Sequence, residues 1–138
     1  MKHKISIHIL LGLIISVILF HLSIIVKIIP YNIAWGGRLQ NDSQMYVFEV
    51  ISIIINLFLG LVLLMKGNDI KYQFKKKTID IILYIFLALF VLNTIGNLFA
   101  KTNFEKLFSI LTFAFAVFIW IILKAKNILD TKNITKTD

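Results

Sequence analysis

Four long apolar stretches separated by short polar ones make up most of the chain: approximately Ile5–Ile29, Met45–Met65, Ile79–Ala100 and Phe104–Leu123. Each is near or above the ~20 residues that a helix needs to cross about 30 Å of hydrocarbon. Each is apolar almost all round, as expected where lipid is the outer solvent, and a helix keeps its backbone hydrogen bonds internal there. The pattern predicts an all-α fold, an integral membrane four-helix bundle. One transmembrane domain covers residues 1–127 and a polar tail covers 128–138.

Polar punctuation supports these boundaries. Pro30 is expected to end the first helix, because the residue before a proline is steered out of the α region. Asn41, Asp42 and Ser43 offer caps for the second helix and Thr78 for the third, with Asp80 in the first turn favoured by the helix dipole. Thr102 and Glu105 have the spacing of a capping box for the fourth. The tail "DTKNITKTD" has too little apolar content to fold. Lys2 and Lys4 give the first stretch the look of a signal peptide. Its apolar run exceeds the ~7–15 residues of a signal core and no small-residue cleavage site follows, so it reads as a retained first span.

Composition agrees with the pattern. Of 138 residues 59% are hydrophobic, with mean hydropathy +0.88, well above the ~45–50% apolar share of soluble domains. The absence of cysteine excludes disulfides, thiol catalysis and Cys-ligated metals. No histidine pair has metal-ligand spacing, and no cofactor is implied.

The net charge of +8 is unevenly placed. Eleven of the fifteen basic residues lie at the amino terminus, between spans two and three, or in the tail; Lys27, Arg38, Lys101 and Lys106 lie on the other side. The positive-inside rule then puts both termini in the cytoplasm and the Pro30–Gln40 loop outside. The basic side suits an anionic inner leaflet, so membrane lipids are the expected partners. Nucleic acid is not, since no aromatic-interleaved basic fold accompanies the lysines. The Ile, Lys and Asn bias suggests a low-GC bacterial source, hence a multi-pass protein of the bacterial cell membrane.

Candidate chemistry lies in the polar residues inside the spans, because an ionisable group in hydrocarbon costs at least ~2.5–3.5 kcal/mol and normally faces the bundle interior. In span two Glu49, Ser52, Asn56 and Gly60 share one face. Asn93, Gly96, Asn97 and Ala100 form a stripe on span three, and Glu105, Ser109, Thr112 and Ala116 another on span four. Small and polar residues at such spacing permit close helix packing. Antiparallel spans bring these groups to the outer half, with Glu49 about one turn below the span's edge. In span one the stripe His8, Gly12, Ser16, Ser23 and Lys27 is expected to face inward, which turns His21 nearly the opposite way. His21 then reads as a neutral histidine hydrogen-bonded to a neighbouring helix or to a second copy of the chain, rather than as a base or ligand.

The outer loop concentrates the chain's rarest residues. Gly36 and Gly37 allow positive φ and close backbone approach, and their N–H groups offer a small anion site. Arg38 supplies a planar fork for carboxylate or phosphate. The sharper reading is an anionic ligand or lipid headgroup bound over Glu49. The plainer one pairs Arg38 with Glu49 or Asp42 and leaves Trp35 and Tyr31 in the interfacial aromatic belt.

The stretch "IPYNIAWGGRLQNDSQMYVFE" resembles the signature block of a family of small uncharacterised four-span bacterial membrane proteins. That resemblance implies a fold and no activity. Three function classes follow from the residues. The first is an outward-facing polar pocket for a small molecule or lipid headgroup, formed by Trp35, Gly36, Gly37, Arg38, Glu49, Ser52, Asn56, Asn93 and Asn97. The second is a structural or accessory subunit whose polar groups only pack helices. The third is a proton-coupled transporter or lipid-modifying enzyme in which Glu49 exchanges a proton. Nucleophilic catalysis lacks support, since Ser23, Ser52 and Ser109 have no base at a recognisable spacing.

Overall fold

A computed structural model describes residues 2–33, 35, 39–71, 73–100 and 103–134. The chain forms four helices, α1 (Lys2–Ile25), α2 (Asp42–Gly67), α3 (Lys76–Leu98) and α4 (Asn103–Ile134), with a short 3-10 turn at Tyr31–Ile33 between the first two. No strand occurs among the described residues. All four helices are long and apolar enough to cross a membrane. The fold is an all-helical, multi-pass bundle in which each helix runs antiparallel to the next. Pairs α3–α4 and α1–α2 pack most extensively, and α1–α4 and α2–α3 less.

Local chemistry sets the ends. α1 stops at Ile25, ahead of Pro30, because the chain closes into a left-handed turn. Lys27 takes φ 59°, its N–H donates to Ile24 O at 2.9 Å, and Ile28 N–H donates to Ser23 O at 3.0 Å. These bonds satisfy carbonyls that the helix end leaves open. α2 ends the same way at Asn68, φ 60°, with bonds to Met65 O and Leu64 O; Asn tolerates that conformation because its short polar side chain bonds locally. The cap of α2 is Asn41, whose side chain accepts from Gln44 N–H at 2.9 Å.

Two expectations are corrected. α3 starts from Lys75 without a side-chain cap, and Thr78 lies inside the helix. α4 continues to Ile134, into the stretch expected to be unfolded; a helix leaving hydrocarbon can run on through polar residues because water solvates their side chains. Thr102 lies outside the described residues.

The core divides along the bundle. At the end that holds the amino terminus and the α2–α3 connection, here the basic end, Ile7, Leu10 and Ile14 meet Leu59, Val62 and Leu63, with Ile79, Leu83 and Phe86 from α3 and Phe115, Ile119 and Ile122 from α4. Lys66 and Asp80 pair across α2 and α3 there, with side chains only 11% and 15% exposed. At the far end a smaller cluster joins Ile24, Leu39 and Met45, with Phe20, Ile29 and Tyr31 against it. Outward, residues such as Ile15, Leu19, Ile54, Leu57, Leu92 and Phe113 are exposed on all four helices, as lipid-facing surfaces require.

The small-residue stripe of α1 does not face inward. His8, Gly12 and Ser16 are exposed, and the buried face carries Ile7, Leu10, Ile14 and Ile24. Ser16 Oγ donates to Gly12 O at 3.2 Å, Ser23 Oγ donates to Leu19 O at 2.8 Å, and His8 Nδ1 lies 2.7 Å from Lys4 O. Each polar group finds its partner on its own helix, so the stripe can face lipid without an unmade hydrogen bond.

Candidate functional site

Buried residues on α1 and α2 recur at alternating three- and four-residue steps, the spacing of two helices packed along a seam. On α1 the seam runs Ile7, Leu10, Ile14, Val17, His21, Ile24; on α2 it runs Met45, Glu49, Ser52, Asn56, Leu59, Leu63. Their polar positions coincide. Glu49 is fully buried, and its Oε2 lies 2.5 Å from His21 Nδ1. Such a contact between a nitrogen and an oxygen requires a hydrogen between them, and the pairing offsets part of the cost of placing a carboxylate in the bundle.

The loop supplies the second partner. Trp35 Nε1 donates to Glu49 Oε1 at 2.9 Å, and its ring packs on Phe48 with centroids 5.0 Å apart. Trp35 holds φ 57°, a conformation that costs a bulky residue energy and persists only where its surroundings enforce it. Both carboxylate oxygens are thus held by the protein, one from α1 and one from the loop. His21 is braced edge-on by Phe20 at 5.8 Å, and Phe20 in turn packs on Phe108 of α4 at 4.9 Å.

Below Glu49, Ser52 is buried and Asn56 Nδ2 donates to Ser52 O at 2.9 Å. The polar layer ends there, above the apolar core of the basic end. On the other pair of helices, Thr94 Oγ1 and Thr112 Oγ1 lie 3.0 Å apart, and each hydroxyl also reaches a carbonyl of its own helix. Glu105 and Ser109 are buried on α4. Among the described residues every buried side-chain nitrogen and oxygen has a hydrogen-bond partner, and no three His, Cys, Asp or Glu residues gather as metal ligands.

Of the residues singled out in the sequence, the structure brings Trp35, Glu49, Ser52 and Asn56 together. Asn93 is exposed on α3 and Asn97 half-buried, and neither hydrogen-bonds to Glu49. Gly36, Gly37 and Arg38 lie outside the described residues. Asp42 pairs with Lys27; its hydrogen bond and adjacent negative charge hold the Lys27 ammonium above the ordinary lysine range. That contribution is present at neutral pH and is lost only as the pH rises through the raised value.

His21 is the residue that sequence reasoning left unplaced. An ideal helical wheel sets it opposite the small-residue stripe, and because that stripe faces outward His21 falls on the buried face, where the register of Ile7, Leu10, Ile14 and Val17 continues onto it.

A cleft of about 470 Å³ opens beside this site at the far end, lined by Lys27, Ile29, Pro30, Tyr31, Asn32 and Leu39. Leu39 also packs on Ile24 and Met45, the pair next to His21 and Glu49 along the two seams. Compared with known proteins, the chain matches no family model, no curated protein and no solved structure.

Proposed function

We propose that this multi-pass membrane protein binds a small molecule or a lipid headgroup at its far end, in a site that Trp35 closes over Glu49. The observation that carries the reading is Trp35 itself. A loop tryptophan held at φ 57° keeps its indole on a fully buried glutamate. Backbone strain of this kind clusters at clamps and binding sites. The adjoining cleft of about 470 Å³ falls within the ~300–1,000 Å³ typical of ligand pockets. Its wall combines an ammonium, an amide and a phenol with the apolar surfaces of Ile29, Pro30 and Leu39, which suits an amphipathic occupant at the membrane surface. The sequence expectation that Asn93, Asn97, Gly36, Gly37 and Arg38 contact the bound molecule stays part of this proposal, the last three lying outside the described residues.

The test is native mass spectrometry of the chain released from lipid nanodiscs. Wild type should retain a lipid or small molecule that Trp35→Ala and Asn32→Ala lose. Equal retention by all three would sink the proposal.

A structural reading is favoured by one specific observation: the buried polar side chains are already satisfied from within. It predicts variants that lose stability and no bound molecule.

A further inference from the structure

We propose that His21 and Glu49 form a proton-exchange site open to the far end alone, with His21 relaying protons between solvent and the Glu49 carboxyl. This inference is independent of the ligand reading. Glu49 has no exposed surface, while the His21 side chain is 14% exposed and lies one turn before the far end of α1, so of the two groups only the imidazole is reachable from outside the bundle. Of the two groups that touch the carboxyl among the described residues, the Trp35 indole only donates, and it does not exchange its proton in ordinary side-chain chemistry. Imidazole has two nitrogens that can each carry a proton. Nδ1 sits 2.5 Å from Glu49 Oε2, and Nε2 makes no hydrogen bond among the described residues.

The relay balances. A hydronium ion gives its proton to Nε2 and leaves as water; the Nδ1–H bond breaks and an Oε2–H bond forms on Glu49. The ring ends neutral in its other tautomer, and the pair has taken up one proton. Reversal returns it to the same side, because the seam beneath holds only Ser52 and Asn56 before it becomes apolar.

Other charged and titratable groups lie on the neighbouring elements. From α1 and α2, Lys27 and Asp42 pair with each other. Tyr46 of α2 is exposed and Tyr31 packs on the Ile24 cluster. From α4 come buried Glu105, which has an interaction of its own, and exposed Lys106. Arg38 of the loop lies outside the described residues. The far half of α3, from Leu87 to Leu98, carries no titratable side chain.

The experiment uses the full chain in phospholipid nanodiscs with no added ligand, its glutamate side-chain carboxyls labelled with carbon-13 and its histidines with nitrogen-15. Only two glutamates and three histidines are present, so Glu105→Gln, His3→Gln and His8→Gln assign the signals. We expect the Glu49 carboxyl and both ring nitrogens of His21 to respond together over one reversible pH range. A Glu49 signal that stays fixed while the protein remains folded, or that moves at a pH unrelated to His21, overturns the proposal. A second arm follows Glu49 protonation by infrared absorption after a pH jump: His21→Gln should slow it on the order of 100-fold, and an unchanged rate rejects the relay. If that variant does not fold, the wild-type titration decides. Because this readout is the protonation of the pair and the other is a retained molecule, failure here leaves the binding reading standing, and loss of binding leaves this one standing.

Discussion

Trp35 and Glu49 lie fourteen residues apart, yet the indole of one donates to the carboxyl of the other at 2.9 Å. The connection between α1 and α2 is therefore tied to the bundle interior by a polar anchor at Trp35 beside the apolar one at Leu39. Three segments, α1, the loop and α2, converge on one buried acid.

Trp35→Phe keeps an aromatic ring against Phe48 and removes the donor. Glu49 Oε1 is then left without its partner, a loss that typically costs about 1–3 kcal/mol for a buried polar group. Chemical unfolding in detergent should show a lower midpoint, and in a Trp120→Phe background the remaining Trp35 fluorescence should report loop opening before the helices unfold. An unaltered midpoint in Trp35→Phe means that the hydrogen bond carries no stability.

The His21–Glu49 contact is open to a double-mutant cycle. Glu49→Leu strands two donors and His21→Phe strands one carboxyl oxygen, and breaking a buried pair on one side costs roughly 3–5 kcal/mol. The double variant replaces both groups by apolar ones and should be much less damaged than the two single losses combined. Additive losses would show that the two side chains do not act together.

Lys66 and Asp80 form the corresponding contact at the basic end, and both are largely buried. Asp80→Asn should therefore destabilise the α2–α3 contact, with little rescue by salt because buried pairs are weakly screened. Asp42→Asn, at the half-exposed Lys27 pair, should leave thermal stability nearly unchanged. A larger effect at Asp42 than at Asp80 would contradict the burial seen here.

Orientation is testable because the chain has no cysteine. Gln40→Cys should react with an impermeant thiol reagent in intact cells, and Asn68→Cys should react only after the membrane is opened. The reverse pattern places the Trp35 loop in the cytoplasm.

The spans were legible because hydropathy over some twenty residues overwhelms local detail, and the Glu49–Ser52–Asn56 face because polar groups in an apolar helix stand out against their background. His21 was not, because small residues were expected to face inward, whereas hydroxyls that bond to their own helix can face lipid. An ideal wheel sets His21 opposite that stripe, so once the stripe faces outward His21 falls on the buried seam. Trp35 was placed in the loop by sequence, but its bond to Glu49 depends on a backbone conformation that no residue pattern specifies for a tryptophan. The end of α1 shows the same limit: Pro30 marked a stop, while the left-handed turn at Lys27 set it earlier.

The two seams have a consequence for how the chain assembles. An apolar stripe of Ile, Leu and Val is nearly periodic, so α1 and α2 could slide past each other by seven residues and still match oil to oil. In the observed alignment His21 meets Glu49; in the slipped one Ile14 faces the acid and His21 is carried past it to Asp42 at the start of α2. On the partner hairpin Thr94 and Thr112 similarly pair one hydroxyl with another. Each helical hairpin carries one polar rung that has a single correct mate, and these rungs act as keys that select one alignment from several that hydrophobicity alone would accept.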